Sequence, residues 1–230
     1  MESGDWGHFL KDHLSEIYEM HLTLTSASHN LKRGISRDNS QSPLPTVFLM
    51  SDDDRLPKPS AALSKLPRGS CFILRHYNDP ERFQIAKLLS ALCRRRQISI
   101  LVGGNWRLAA RVGAHGLHLP GHMARIGLEP AARLWLKRRK GLLTAAAHSP
   151  QELRQAYKIG ASAALLSPVF GTLSHPHRRP LGPVRLAAMV RSTPISVIAL
   201  GGVNSKTLNA LRGTGCHGYA GIGFASENQS

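Results

Sequence analysis

Eight short apolar runs, spaced along most of the chain, limit what it can fold into more than any other feature. They cover residues 47–50, 71–74, 98–102, 116–119, 142–146, 163–166, 195–200 and 218–222. Their apolar character is largely continuous rather than alternating, as in parallel strands covered on both faces. Helical patterns lie between them. One spans 80–95, with Phe83, Ile85, Ala86, Leu88, Leu89 and Leu92 at helical spacing; others span 106–112, 124–140 with an interruption near Pro130, 184–191 and 205–212. Ser149-Pro150-Gln151-Glu152 reads as a helix start: a serine N-cap, proline at the first helical position and an acid in the first turn. The segments 113–116, 160–163 and 215–218 each open with glycine between a helical pattern and a strand, where a helix C-terminus favours it.

Strand and helix alternating this way predict an α/β fold, a compact TIM (β/α)8 barrel, with a doubly wound sheet as the alternative. The last strand is followed by too few residues for a regular final helix, so that helix is expected to be truncated or missing. Residues 1–44 read as an N-terminal extension and 45–230 as the barrel. In the extension Trp6, Phe9, Leu10, Leu14, Ile17 and Tyr18 recur at helical spacing, and a polar linker rich in Ser, Asn and Pro follows.

Composition narrows the class. A hydrophobic content of 42% over 230 residues provides a sizeable core. The three cysteines, Cys71, Cys93 and Cys216, form no CxxC pair, which argues against a zinc site or a disulfide scaffold and fits a reducing cytoplasm. No apolar run approaches a membrane span. The formal charge of +16 favours anionic ligands, but aromatics are only 6% and the basic clusters are short. A solvated basic surface is therefore favoured over nucleic-acid binding. Homo-oligomerisation is left open.

In a barrel, chemistry sits at the C-terminal ends of the strands. Those ends carry Asp52–Asp54, Arg75, His76, Gly103-Gly104-Asn105, His118, His148, Thr172, Ser174, His175, Gly201-Gly202 and Gly223. Gly201 and Gly202 stop a buried strand before a helical pattern and can leave backbone N–H groups facing an anion; a tight turn is the other reading. His148, just before a helix start, can accept and return a proton near pH 7 as neutral imidazole. His118, inside an apolar strand, reads first as a hydrogen-bonded core residue. Asp52–Asp54 read as a solvated turn, since three consecutive side chains converge poorly on one ion.

The segments GAHGLHLPG (113–121), AAHSPQEL (146–153), GASAALLSPVFGT (160–172), PISVIALGGV (194–203) and GYAGIGFAS (218–226) resemble the thiamine phosphate synthase and thiazole tautomerase superfamily. The resemblance implies a TIM barrel binding a phosphorylated thiazole. Synthases of this superfamily couple a pyrimidine diphosphate to thiazole phosphate, with Mg²⁺ held by acids after strands 3 and 4. Here those positions are Gly103-Gly104-Asn105 and Met123; of the Gln-x-Arg-x-Lys of strand 2 only Arg75 remains, and the strand-6 lysine becomes His175.

The tautomerase branch lacks those acids, needs no metal, and carries Leu-Pro and His-Ser where this chain has Leu119-Pro120 and His148-Ser149. The resemblance therefore implies a metal-independent thiazole tautomerase-like enzyme with no cofactor. His148 is its proton shuttle. Gly201, Gly202, Gly223 and Phe224 hold phosphate, and Arg75, Asn105, His118, Thr172, Ser174 and His175 line the substrate. A divergent Mg²⁺-dependent synthase and a non-catalytic phosphate-binding homologue are the alternatives.

Overall fold

The computed structural model describes residues 44–53, 56, 59–172 and 179–222. The predicted amphipathic segment of the extension and the truncated last helix lie outside them.

Eight parallel strands close into one barrel in chain order. They are β1 (Val47–Met50), β2 (Cys71–Leu74), β3 (Ser99–Gly103), β4 (Gly116–Leu119), β5 (Leu142–Ala147), β6 (Ala163–Leu166), β7 (Ser196–Leu200) and β8 (Gly218–Gly221). β8 returns to β1, pairing Tyr219 with Val47 and Gly221 with Leu49, so no strand edge is exposed. The doubly wound alternative is thereby excluded.

Continuous apolar runs follow from this closure, because each strand has two buried faces. Phe48, Met50, Cys71, Ile73, Leu101, Ala163, Leu165, Ile198 and Ala220 fill the barrel interior. Alternate residues, among them Leu49, Phe72, Leu74, Ile100, Val102, Leu117 and Ala199, face the helix layer. Such two-period alternation within all-apolar strands is how a (β/α)8 barrel packs two cores with one set of strands.

The helices are α1 (Pro59–Ser64), α2 (Arg82–Arg95), α3 (Trp106–Arg111), α4 (Gly121–Ile126), α5 (Pro130–Arg139), α6 (Pro150–Lys158), α7 (Gly182–Arg191) and α8 (Ser205–Leu208), the last extended by a 3-10 turn at Asn209–Leu211. In α2, Ala86, Leu89, Ser90 and Cys93 make the buried stripe, at the spacing of a single helical face. The interruption expected near Pro130 separates α4 from α5, with Pro130 in the first turn of α5. α1 carried no sequence signal, since its six residues include too few apolar positions to set a period. Gly113, Gly160 and Gly215 have φ of 65°, 79° and 76°, the left-handed conformation expected after a helix. All three cysteines are buried free thiols.

Candidate active site at the barrel mouth

The strand C-termini gather one side of the site around His148. Ser149 caps α6, its side chain accepting the N–H of Glu152, with Pro150 in the first turn. Glu152 in turn accepts the His148 backbone N–H through Oε2 at 2.6 Å. The imidazole Nδ1 lies 2.8 Å from the Ser167 carbonyl oxygen. A carbonyl can only accept, so Nδ1 carries the proton and Nε2 is left as the basic nitrogen of the exposed ring. The helix start read from sequence thus does two jobs: it caps α6 and it fixes the backbone from which His148 projects.

His118 is placed differently. It lies inside β4 with 2% exposure, and its Nδ1 is 2.9 Å from Thr144 Oγ1 on β5. Burial, reinforced by the Arg75 charge, pushes its pKa down to about 3, so the ring is neutral. It joins the barrel wall as a hydrogen-bonded core residue, the first of its two sequence readings. Arg75 is tied to the end of β1: its N–H and Nε donate to Ser51 Oγ (2.8 Å) and Ser51 O (2.7 Å), and its guanidinium pairs with Asp52.

After β3 the wall is closed. A Cβ at Gly103 would stand 2.8 Å from Tyr77 Oη and 3.1 Å from the Leu74 carbonyl oxygen. Gly104, at φ +67°, faces Met123 Sδ, which a Cβ would meet at 3.2 Å. Arg82 donates to the Gly103 carbonyl and stacks over the Tyr77 ring, 5.2 Å from its centroid. Asn105 Oδ1 is committed to capping α3, accepting the Leu108 N–H at 2.9 Å. A metal held between acids after β3 and β4 therefore does not fit here: the positions are glycine, amide and thioether, and the space is filled by Tyr77 and Met123.

Gly201 and Gly202 follow β7 with φ of 91° and 64°. Cβ atoms there would meet Pro168 Cα at 2.9 Å and Gly171 O at 2.2 Å. Glycine is thus required by close passage of the chain after β6, which also hydrogen-bonds back through Phe170 N–H to Gly201 O at 2.9 Å. The backbone N–H groups of Gly201 and Gly202 have no acceptor among the described residues. The tight-turn reading is what this geometry shows, and the two amides it leaves without an acceptor among the described residues bear on the anion reading taken up below. Thr172 is half-buried in the same loop. Gly223, Phe224, Ser174 and His175 lie outside the described residues.

One grouping was missed by reading the chain in order. Asp53, His76 and Asp79 bring one carboxylate oxygen each and a ring nitrogen within 4.8 Å of one another. Of the aspartates expected to form a solvated turn after β1, Asp52 turns to Arg75 and Asp53 faces His76 across the β1–β2 boundary, while Asp54 lies outside the described residues. The only sequence signal was the acid and histidine content at two adjacent strand ends, because strand neighbourhood is a property of the closed sheet.

The fold and this mouth define a (β/α)8 barrel whose strand C-termini carry glycine amides with no acceptor among the described residues and a hydrogen-bonded histidine. The profile of the TMP-TENI family, described as thiamine monophosphate synthase, matches residues 51–224, and the chain belongs to that family. A protein of Aquifex aeolicus named putative thiamine-phosphate synthase 2 is 30% identical over 149 residues, covering 65% of this chain and 77% of that protein. A thiamine-phosphate synthase of Parasynechococcus marenigrum is 28% identical over 224 residues, covering 92% of this chain but only 59% of its own length. Among solved structures, thiamine phosphate pyrophosphorylase from Pyrococcus furiosus superposes with a TM-score of 0.66 at 24% identity, over 80% of this chain and 89% of that one, which shows the shared fold. Among the described residues no helix is long and apolar enough to cross a membrane.

Proposed function

We propose that this chain is an enzyme of thiamine biosynthesis that binds a phosphorylated thiazole at the barrel mouth and joins it to a pyrimidine diphosphate to form thiamine phosphate. The names of its relatives support this coupling over the tautomerase reading that the missing acids suggested. The observation that carries the ligand assignment is the pair of unpaired amides at Gly201 and Gly202, suited to an anionic ester. Arg75 and Arg82, at the opposite strand ends, supply positive charge for the departing diphosphate. In the coupling, a thiazole nitrogen forms a C–N bond as the pyrimidine methylene loses its C–O bond to diphosphate.

The metal-independent tautomerase remains as a second reading, favoured by one observation. With Nδ1 committed to the Ser167 carbonyl, His148 Nε2 is the nitrogen placed to take and return a ring proton.

Purified protein incubated with thiazole phosphate, pyrimidine diphosphate and Mg²⁺ or Mn²⁺, read by product mass, tests the first reading; thiamine phosphate is expected. Thiazole carboxylate phosphate alone in deuterated water tests the second, with deuterium uptake lost in His148→Gln. Isomerisation without coupling would replace the first reading by the second. Ligand binding with neither reaction would leave a non-catalytic binding protein.

A further inference from the structure

We propose that Asp53, His76 and Asp79 form a divalent-cation site at the β1–β2 mouth, taking a first-row ion such as Mn²⁺ or Zn²⁺. Three observations carry it. The first is distance. Ligands about 2.1 Å from an octahedral ion stand about 3.0–4.2 Å apart, and here one donor atom from each of the three side chains already lies within 4.8 Å of the others.

The second observation is the imidazole. His76 is 2% exposed, and its ring is fixed by Ser51 Oγ, 2.8 Å from Nδ1. Ser51 Oγ is itself held by the Arg75 N–H at 2.8 Å. Metal-binding histidines are oriented in this way, one ring nitrogen held by a neighbouring hydrogen-bonding group and the other offered to the ion.

The third observation is what surrounds the carboxylates. Arg75 pairs with Asp52 and Ser51, Asp53 has His76 as an ion-pair partner, and the Arg82 charge also acts on Asp53. Asp79 accepts one backbone N–H, from Glu81 at 2.8 Å, through Oδ1. Neither carboxylate is spent. A donor set of two carboxylates and one imidazole favours a borderline cation over Mg²⁺, which prefers oxygen alone.

The role of this site rests on the coupling reading: it would set a cation beside Arg75 at a mouth whose β3 and β4 ends cannot hold one. The binding itself is independent of that reading, and the test separates them.

The full chain is titrated with Mn²⁺, and separately with Zn²⁺, by calorimetry, with Mn²⁺ electron paramagnetic resonance as a second readout. One ion per chain is expected. Asp53→Asn and Asp79→Asn should each weaken binding at least tenfold, while Glu129→Gln, on the far flank of the mouth, leaves it unchanged. Circular dichroism confirms that the aspartate variants remain folded; His76→Gln is secondary because a buried residue is altered. No stoichiometric binding of either ion, or binding that both aspartate variants leave intact, overturns the proposal. Binding lost in both variants upholds the site even if no thiamine phosphate forms, in which case the coupling reading alone fails.

Discussion

At the residue scale, burial decides what each histidine can do. His118 lies in β4 and His148 directly follows the adjacent β5, yet one is sealed in the wall and the other projects into solvent. Because His118 is held neutral with a pKa of about 3, against an ordinary value near 6.5, the unfolded chain binds a proton that the folded chain refuses between those two values. Its contribution to stability is therefore complete above about pH 6.5 and is lost as pH falls towards 3. Urea midpoints measured from pH 7 to 4 should decline, and His118→Asn should remove up to about one proton from that slope, about 1.4 kcal/mol per pH unit. Gly201→Ala and Gly202→Ala should each destabilise by roughly 1–3 kcal/mol, since each combines a left-handed backbone with overpacking. Gly202 should be the worse, because its Cβ would meet a backbone oxygen at 2.2 Å. Thermal midpoints check the ranking.

At the element scale, the α6 start links local structure to the candidate chemistry. Ser149, Pro150 and Glu152 were legible as a helix start because capping depends only on residues a few positions apart. What those residues do for the site was not legible, since Glu152 Oε2 reaches back to the His148 N–H and the imidazole leans on Ser167 from the next strand. Ser149→Ala should cost about 1 kcal/mol, the usual value of a lost N-cap. If His148 is the proton carrier, the variant's turnover should fall more than its substrate binding weakens, a split between kcat and KM that steady-state kinetics would reveal. The short α1 and the β1–β2 cluster were hidden for a shared reason: neither is periodic, and periodicity is the signal that a single sequence offers.

At the scale of the whole molecule, charge is segregated in a way the composition conceals. The described acids, Asp52, Asp53, Asp79, Glu81, Glu129 and Glu152, all lie on loops after strands, at a helix N-cap or in a first helical turn, towards the mouth. Basic residues collect at helix C-termini on the opposite face: Arg94 and Arg95 on α2, Arg111 on α3, Lys137, Arg138 and Arg139 on α5, Lys158 on α6 and Arg191 on α7. Each is favoured there by its helix dipole. Together they raise the local potential: beyond burial, Arg94 and Arg139 hold the His115 pKa below its ordinary value. Retention on a polyanionic resin should be strong at low salt and fall steeply as the Debye length shrinks. Replacing Lys137, Arg138, Arg139 and Lys140 together with glutamine should move elution to lower salt. Unchanged elution would place the dominant charge elsewhere.

The sequence by itself determined the alternation of strand and helix, the strand positions to within a residue or so, the cap of α6 and the family, because all of these are written in local pattern and motif order. Only the tertiary structure decided which strand ends are neighbours. Closing the sheet put Asp53 beside His76, Tyr77 and Met123 against the glycines after β3, and Pro168 against Gly201. Contacts between residues distant in sequence are set by closure and register, and no local pattern encodes them.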